Sequence, residues 1–375
     1  MRIPAGLRDY YELCKPRVVL LIVFTAMVGM FLATPGMVPI DALLFGTLGI
    51  GLMAASAAAV NQMLDRKADQ RMARTRKRPL VTGHLDMMQS ARFAAAIGLI
   101  GMAILLWLVN PLTAWLTLVT LVGYAGVYTV YLKRATPQNI VIGGAAGAAP
   151  PVLGWAAVTG TVDAHALILF LIIFIWTPPH FWALAIERHR EYAEVDIPML
   201  PVTHGLEYTR TQVLLYTVLL FIVSLLPFAT GMSGPLYLIS AIGLSGWFLI
   251  YAIRLKYAPK PGLAMRTFGY SILYLMALFT VLLVDHYVAP FSFGALFNSD
   301  LTAVLIFYAI EDRSGFDASF SVSSAGHCGL YFVVRSQCAG RRYGFVKRFP
   351  TRGRGLYLRR LSRCQRYADR KLENR

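Results

Sequence analysis

The chain has 375 residues, 57% of them hydrophobic and only 15% charged, a balance that excludes an ordinary soluble domain and fits a polytopic membrane protein. The formal net charge of +17 is lopsided: residues 291–375 hold 15 Lys/Arg against 6 Asp/Glu, and the remaining excess falls between apolar runs. That is a topology signal plus a basic tail, and it argues against a nucleic-acid partner.

Nine apolar runs each approach the roughly 20 residues needed to cross a bilayer. They are Val18–Thr34, Ile40–Asn61, Ala91–Val109, Thr113–Leu132, Ile140–Val158, Ala166–Ile186, Val213–Thr230, Leu236–Ile253 and Phe268–Tyr287. Cations alternate between the loops. Arg2, Arg8, Lys15 and Arg17 precede the first run, Asn61–Gly83 follows the second, Lys133 and Arg134 the fourth, Arg188, Arg190 and Arg210 the sixth, and Arg254, Lys256, Lys260 and Arg266 the eighth. The turns between them lack cations. This predicts a multi-pass membrane protein with a cytoplasmic amino terminus, and it puts the Asn61–Gly83 and Glu187–Arg210 loops on the same side. No cleavable signal peptide is evident. Cys14, Cys328, Cys338 and Cys364 form no CxxC pair, so neither a zinc nor a redox motif is indicated.

The loop NQMLDRKADQRMARTRKRPLVTG carries the most chemistry. Asn61, Asp65 and Asp69 recur every four residues, so on a helix they share nearly one face. Acids and amides at a membrane edge are costly and usually functional. Cations follow closely, and oxygen ligands beside many cations predict a receptacle for a magnesium-bound diphosphate. Arg66, Arg74, Arg78, Lys133 and Arg134 are candidate phosphate contacts. Arg78 is preferred because Pro79 and Gly83 fix its loop, although positive-inside bias accounts for any single one of them.

Tyr124, Tyr128 and Tyr131 recur at near-helical spacing in the fourth run, a face that stabilises a carbocation or simply packs. Gly143–Gly154 contains small residues and a Pro-Pro pair, which predicts close helix packing with a kink rather than a substrate-binding break. Pro178 and Pro179 predict a kink just before His180, itself either a contact for a haem or proton relay or a core histidine. Glu187 and Glu191 are four apart, with Glu194 and Asp196 beyond. They either face the first acidic loop and share a metal, or form a surface helix paired with Arg188 and Arg190. Residues 291–375 lose the long apolar runs, and their pattern predicts a disordered or atypical tail beyond a transmembrane domain of residues 1–290.

The stretch NQMLDRKADQRMARTRKRPLVTG resembles the UbiA superfamily of membrane prenyltransferases. YTVYLKRATPQNIVIGGAAGAAPPVLGWAAVTG and WTPPHFWALAIERHREYAEVDIPMLPVTHG are similar to its branch that farnesylates protohaem IX. The resemblance covers about residues 8–290 and implies an all-α fold of nine transmembrane helices around a central cavity. It implies farnesyl diphosphate and haem B as substrates, haem O as product, and Mg2+ held by Asn61, Asp65 and Asp69. It further implies membrane lipid as surroundings, and haem A synthase or oxidase-assembly proteins as partners. The second aspartate-rich motif of quinone-type relatives is replaced here by Glu187, Glu191, Glu194 and Asp196. A quinone-precursor prenyltransferase is the nearest alternative, and a secondary transporter the alternative from another class.

Overall fold

The computed structural model describes residues 6–72, 75–195 and 197–288, and the backbone of residues 318–324, 330–338 and 341–348. The chain divides into two units, Met1–Leu296 and Phe297–Arg375.

In chain order, the first unit has α1 (Leu7–Leu13), α2 (Pro16–Leu32), α3 (Ile40–Arg71), α4 (Pro79–Thr82), α5 (Met87–Leu108) and α6 (Pro111–Val122). Helix α6 runs on as a π-helical segment, Gly123–Leu132, into α7 (Lys133–Ala135). Then come α8 (Asn139–Ala148), α9 (Pro150–Thr159), α10 (Ala164–Glu187), α11 (His189–Glu194), α12 (Leu200–Thr203), α13 (Gly205–Val223), α14 (Leu226–Ala229), α15 (Pro235–Tyr257) and α16 (Leu263–Val288). Eight of the resulting segments are long and apolar enough to cross a bilayer, and α1 with α2 makes a ninth if that pair, bent by 55°, is one span. The protein is therefore a multi-pass, all-helical membrane protein over this unit, as the nine runs predict. Proline opens α2, α4, α6, α9 and α15. At a first helical position its missing N–H costs nothing and its fixed φ is already helical.

Helix α10 is the centre of the bundle. It packs against α8, α9, α13 and α16, and 67% of its apolar stretch is buried, against 17% for α5. The helix continues as one element through Pro178 and Pro179 to Glu187. Neighbours on several sides hold the prolines within one element, as packed membrane helices permit. In Gly143–Gly154 the helix is interrupted only at Ala149, between α8 and α9, and Ala149 itself keeps helical φ and ψ. The small residues there act in packing. A Cβ on Gly154 would lie 1.9 Å from the Ala26 carbonyl oxygen, and one on Gly29 would lie 2.2 Å from that of Pro151. Helices α2 and α9 thus meet backbone to backbone, which only glycine allows.

At the far end from the basic loops, buried Asp285 of α16 accepts from the amides of Gly234 (2.5 Å) and Tyr237 (3.1 Å), satisfying the start of α15.

In the second unit, three strands form an antiparallel meander: β1 (Ala318–Ser324), β2 (Leu330–Cys338) and β3 (Arg341–Arg348). Phe320 pairs with Val334, and Val334 with Phe345. The β-branched and aromatic residues of YFVV and YGFV favour strands, although the surrounding sequence shows no clear period.

Candidate functional site

The site is built on the end of α3, which does not stop at Asn61 as its apolar run does. The helix continues ten residues further, to Arg71, and carries Asn61, Asp65 and Asp69 on one face. All three are buried, at 3%, 6% and 5% exposure.

A cation reaches each of them from a different part of the chain. Lys133, at the end of the π-helical segment, donates to Asp65 at 2.7 Å. Arg78, just before α4, donates to Asp69 at 2.5 Å, while the Thr75 hydroxyl donates to the Asp69 carbonyl at 3.0 Å. Lys15 donates to the side-chain oxygen of Asn61. The Asn61 amide is left to donate to Asp65 at 3.2 Å and to Thr129 at 3.1 Å. Lys15, Asn61, Asp65 and Lys133 thus form one continuous polar chain across three segments.

Local backbone chemistry explains how Lys15 gets there. Pro16 opens α2 and disfavours a right-handed helical residue before it. Lys15 instead takes φ 51° and ψ 61°, the only non-glycine with positive φ among the described residues. A left-handed residue of this kind costs about 1–2 kcal/mol, and such strain tends to persist where surrounding structure enforces it. Gln62, one position beyond Asn61, enforces it here. Its amide donates to the Glu12 and Leu13 carbonyls at 3.1 and 3.0 Å, holding the end of α1.

Three cations therefore face two carboxylates in a largely shielded place. Burial above all, then the charge of Arg78, pushes the Lys15 pKa down to about 7, against the pull of Asp65. The site has room for further negative charge. Two cavities open on it. One of about 420 Å³ is lined by Lys15, Gln62 and Arg78, and one of about 280 Å³ by Asp65, Lys67, Arg71, Lys133 and Arg134.

The other predicted residues are placed as follows. Arg66 has its Nε buried without a hydrogen-bond partner. Arg134 is exposed at the second cavity. Arg74 and Asp196 lie outside the described residues.

The tyrosine stripe splits. Tyr124 and Tyr128 stack with ring centroids 5.7 Å apart, and Tyr128 lies where a Cβ on Gly143 would sit. Tyr131 is 68% exposed and shares no face with them. The cause is the π-helical register, visible in the Thr129 hydroxyl bond to the Tyr124 carbonyl at 2.8 Å. A turn closed by i→i+5 bonds takes more residues, so a seven-residue step no longer returns to the same side.

His180 is buried between Trp176 and Phe268, with centroids 4.2 and 4.5 Å away. Its Nδ1 lies 2.6 Å from the Ser271 hydroxyl, which is itself 2.6 Å from the Phe268 carbonyl. A carbonyl only accepts, so the hydroxyl proton goes there and the imidazole donates through Nδ1. Its Nε2 then keeps its lone pair.

The second acidic loop does not join the first. Glu187 is exposed, and Glu191 pairs with Arg188 at 3.0 Å. Among the described residues no three His, Cys, Asp or Glu gather closely enough to hold a metal ion. This is the surface-helix arrangement, and it leaves Asn61, Asp65 and Asp69 as the oxygen row. In the sequence Lys15 stands out only as a topology cation. The Lys-Pro pair between a short amphipathic segment and the first run was the available signal.

The model of the UbiA prenyltransferase family matches residues 22–280. The chain is 62% identical to "Protoheme IX farnesyltransferase" of Nitrosococcus oceani over 284 residues, which are 76% of this chain and 95% of that protein. It is 60% identical to the protein of that name from Methylococcus capsulatus, over 76% of this chain and 97% of that one. Among solved structures it is similar to a digeranylgeranylglyceryl phosphate synthase, with TM-score 0.64, 18% identity and coverage of 75% and 98%. It is also similar to a UbiA homologue of Archaeoglobus fulgidus bound to DMAPP and Mg2+, with TM-score 0.53, 17% identity and coverage of 73% and 99%.

Proposed function

The chain belongs to the UbiA prenyltransferase family, and on that premise we propose that it transfers the farnesyl group of farnesyl diphosphate to a vinyl group of protohaem IX, consuming water and giving haem O and diphosphate. The observation that carries the reading is the oxygen row of Asn61, Asp65 and Asp69, met from three segments by Lys15, Arg78 and Lys133. Relatives 60–62% identical and named for protohaem farnesylation favour haem over a quinone precursor, and group transfer over transport.

Magnesium fits the donor set. It takes oxygen ligands and is commonly held by one or two carboxylates, with phosphate and water completing the shell. Asn61, Asp65 and Asp69 would hold it; when bound, it would neutralise charge on the leaving diphosphate. The chain's own residues do the rest. Lys133 and Arg78 turn from their carboxylates to phosphate oxygens, and Lys15 adds a third cation, so the departing anion is stabilised by groups already in place. The apolar bundle beneath excludes water around the allylic cation. The stacked Tyr124 and Tyr128 present ring faces to it. His180, with Nδ1 committed to Ser271, offers Nε2 toward the haem substrate. Glu187 and Glu191 stay outside this set, Glu187 being exposed and Glu191 paired with Arg188. The basic end faces the cytoplasm, in a bacterial inner membrane.

The deciding experiment incubates the purified full chain with farnesyl diphosphate, Mg2+ and haem, and looks for haem O by mass. Product from 4-hydroxybenzoate and none from haem would reverse the assignment.

A further inference from the structure

The cavity of about 420 Å³ holds more charge than the reaction uses. Four cations line it: Lys15, Arg17, Lys77 and Arg78. Lys15 and Arg78 also serve the oxygen row, but Arg17 and Lys77 do not touch it. The single acid of the lining, Glu12, is already engaged by Arg8 at 3.0 Å. Gln62 contributes a second kind of group. It is 2% exposed, its amide is spent on the α1 carbonyls, and its side-chain oxygen is buried with no partner. An orphaned buried acceptor costs roughly 1–3 kcal/mol unless something donates to it. The cavity also has a greasy side. Pro16 and Val18 belong to its wall, and the adjoining surface of α2 exposes Val18 at 53% and Leu20 at 65%.

These features specify a ligand. Surplus cations call for a phosphate. The apolar wall, continuous with the outer face of a spanning helix, calls for an attached chain. The Gln62 oxygen calls for a hydrogen-bond donor beside that phosphate. A prenyl diphosphate supplies the first two and lacks the third. A glycerophospholipid with a hydroxyl-bearing head supplies all three, and its net negative charge suits four cations. We propose that this cavity is a binding site for an anionic glycerophospholipid of the phosphatidylglycerol type, separate from the substrate's diphosphate. Its phosphate sits between Arg17 and Lys77, and a head-group hydroxyl donates to Gln62. The lipid braces the α1–α2 bend from outside, where Gln62 already braces it from within, and so holds Lys15 in its left-handed conformation. The inference does not require haem or farnesyl transfer to be the right chemistry.

The test is lipid retention by the full chain in nanodiscs, read by native mass spectrometry. Phosphatidylglycerol, phosphatidylcholine and farnesyl diphosphate are supplied in separate arms. The wild type retains one phosphatidylglycerol in preference to phosphatidylcholine. The double variant Arg17→Gln, Lys77→Gln lowers that affinity about thirtyfold, equivalent to roughly 1 kcal/mol per cation near an anionic surface. A control removing two exposed cations elsewhere, Arg254→Gln with Lys260→Gln, leaves retention unchanged. Equal retention of both lipids, or an equal loss in the control, overturns the proposal. So does displacement of the lipid by farnesyl diphosphate in a manner dependent on Arg17 and Lys77, which would make the cavity an antechamber for the donor. A lack of haem O synthesis by protein that still retains the lipid would count against the proposed reaction alone.

Discussion

Lys133→Met separates the two roles that the geometry gives this lysine. In the resting protein its ammonium is 2.7 Å from Asp65, with side-chain exposures of 16% and 8%. Among the described residues its removal leaves Asp65 with only the Asn61 amide, at 3.2 Å. Stranding a buried carboxylate costs about 3 kcal/mol, the low end for breaking a buried pair, because one donor remains. In the proposed reaction the same ammonium would be a charge-assisted donor to the departing diphosphate, a contact of about 1.5–3 kcal/mol. At 1.36 kcal/mol per tenfold, kcat/KM for farnesyl diphosphate falls about 10- to 150-fold. The assay measures initial rates of haem O formation against farnesyl diphosphate concentration, beside a thermal melt. Adding Asp65→Asn tells the roles apart. The double variant regains melting temperature, since no carboxylate is stranded, yet its rate stays at or below that of Asp65→Asn alone. An unchanged kcat/KM in correctly inserted Lys133→Met protein would refute the clamp. So would a double variant that recovers rate together with stability.

Asp65→Asn and Asp69→Asn are each expected to abolish turnover while far-ultraviolet circular dichroism stays helical; wild-type rates at limiting Mg2+ would remove them from the metal-holding role. Stripping divalent cations with a chelator should stop product formation, and adding Mg2+ should restore it in the same sample. His180→Ala should raise KM for haem and change the absorption spectrum of bound haem, with KM for farnesyl diphosphate unmoved. Gly154→Ala forces a methyl group onto the Ala26 carbonyl, and overpacking of about 1–3 kcal/mol should lower the melting temperature. Truncation before Phe297 should leave the specific rate unchanged, because the family match ends at residue 280 and the second unit begins at Phe297.

Some of this was legible in the chain because it depends on neighbours in sequence. Runs long enough to span a bilayer, loops that alternate in cations, and a row of Asn61, Asp65 and Asp69 at four-residue spacing follow from helix geometry and the cost of burying charge. The point at which α3 ends, Arg71, did not, because hydropathy marks where a membrane ends and says nothing of where a helix does. Nor did the tyrosine stripe, whose spacing was read at the α-helical period while the segment adopts a wider turn.

Sequence by itself determined the number of spans to within the bent α1–α2 pair, their orientation signal and the oxygen row, since each is set within one segment. Only tertiary structure decided which cations meet that row. Lys15 lies 46 residues before Asn61 and Lys133 lies 68 after Asp65, and no local periodicity links them. They meet because Pro16 bends the chain at Lys15, Gln62 ties that bend to α3, and packing against α3 brings the end of the π-helical segment alongside. The same packing left Glu187 exposed and Glu191 beside Arg188, three residues before it, which satisfies that carboxylate locally.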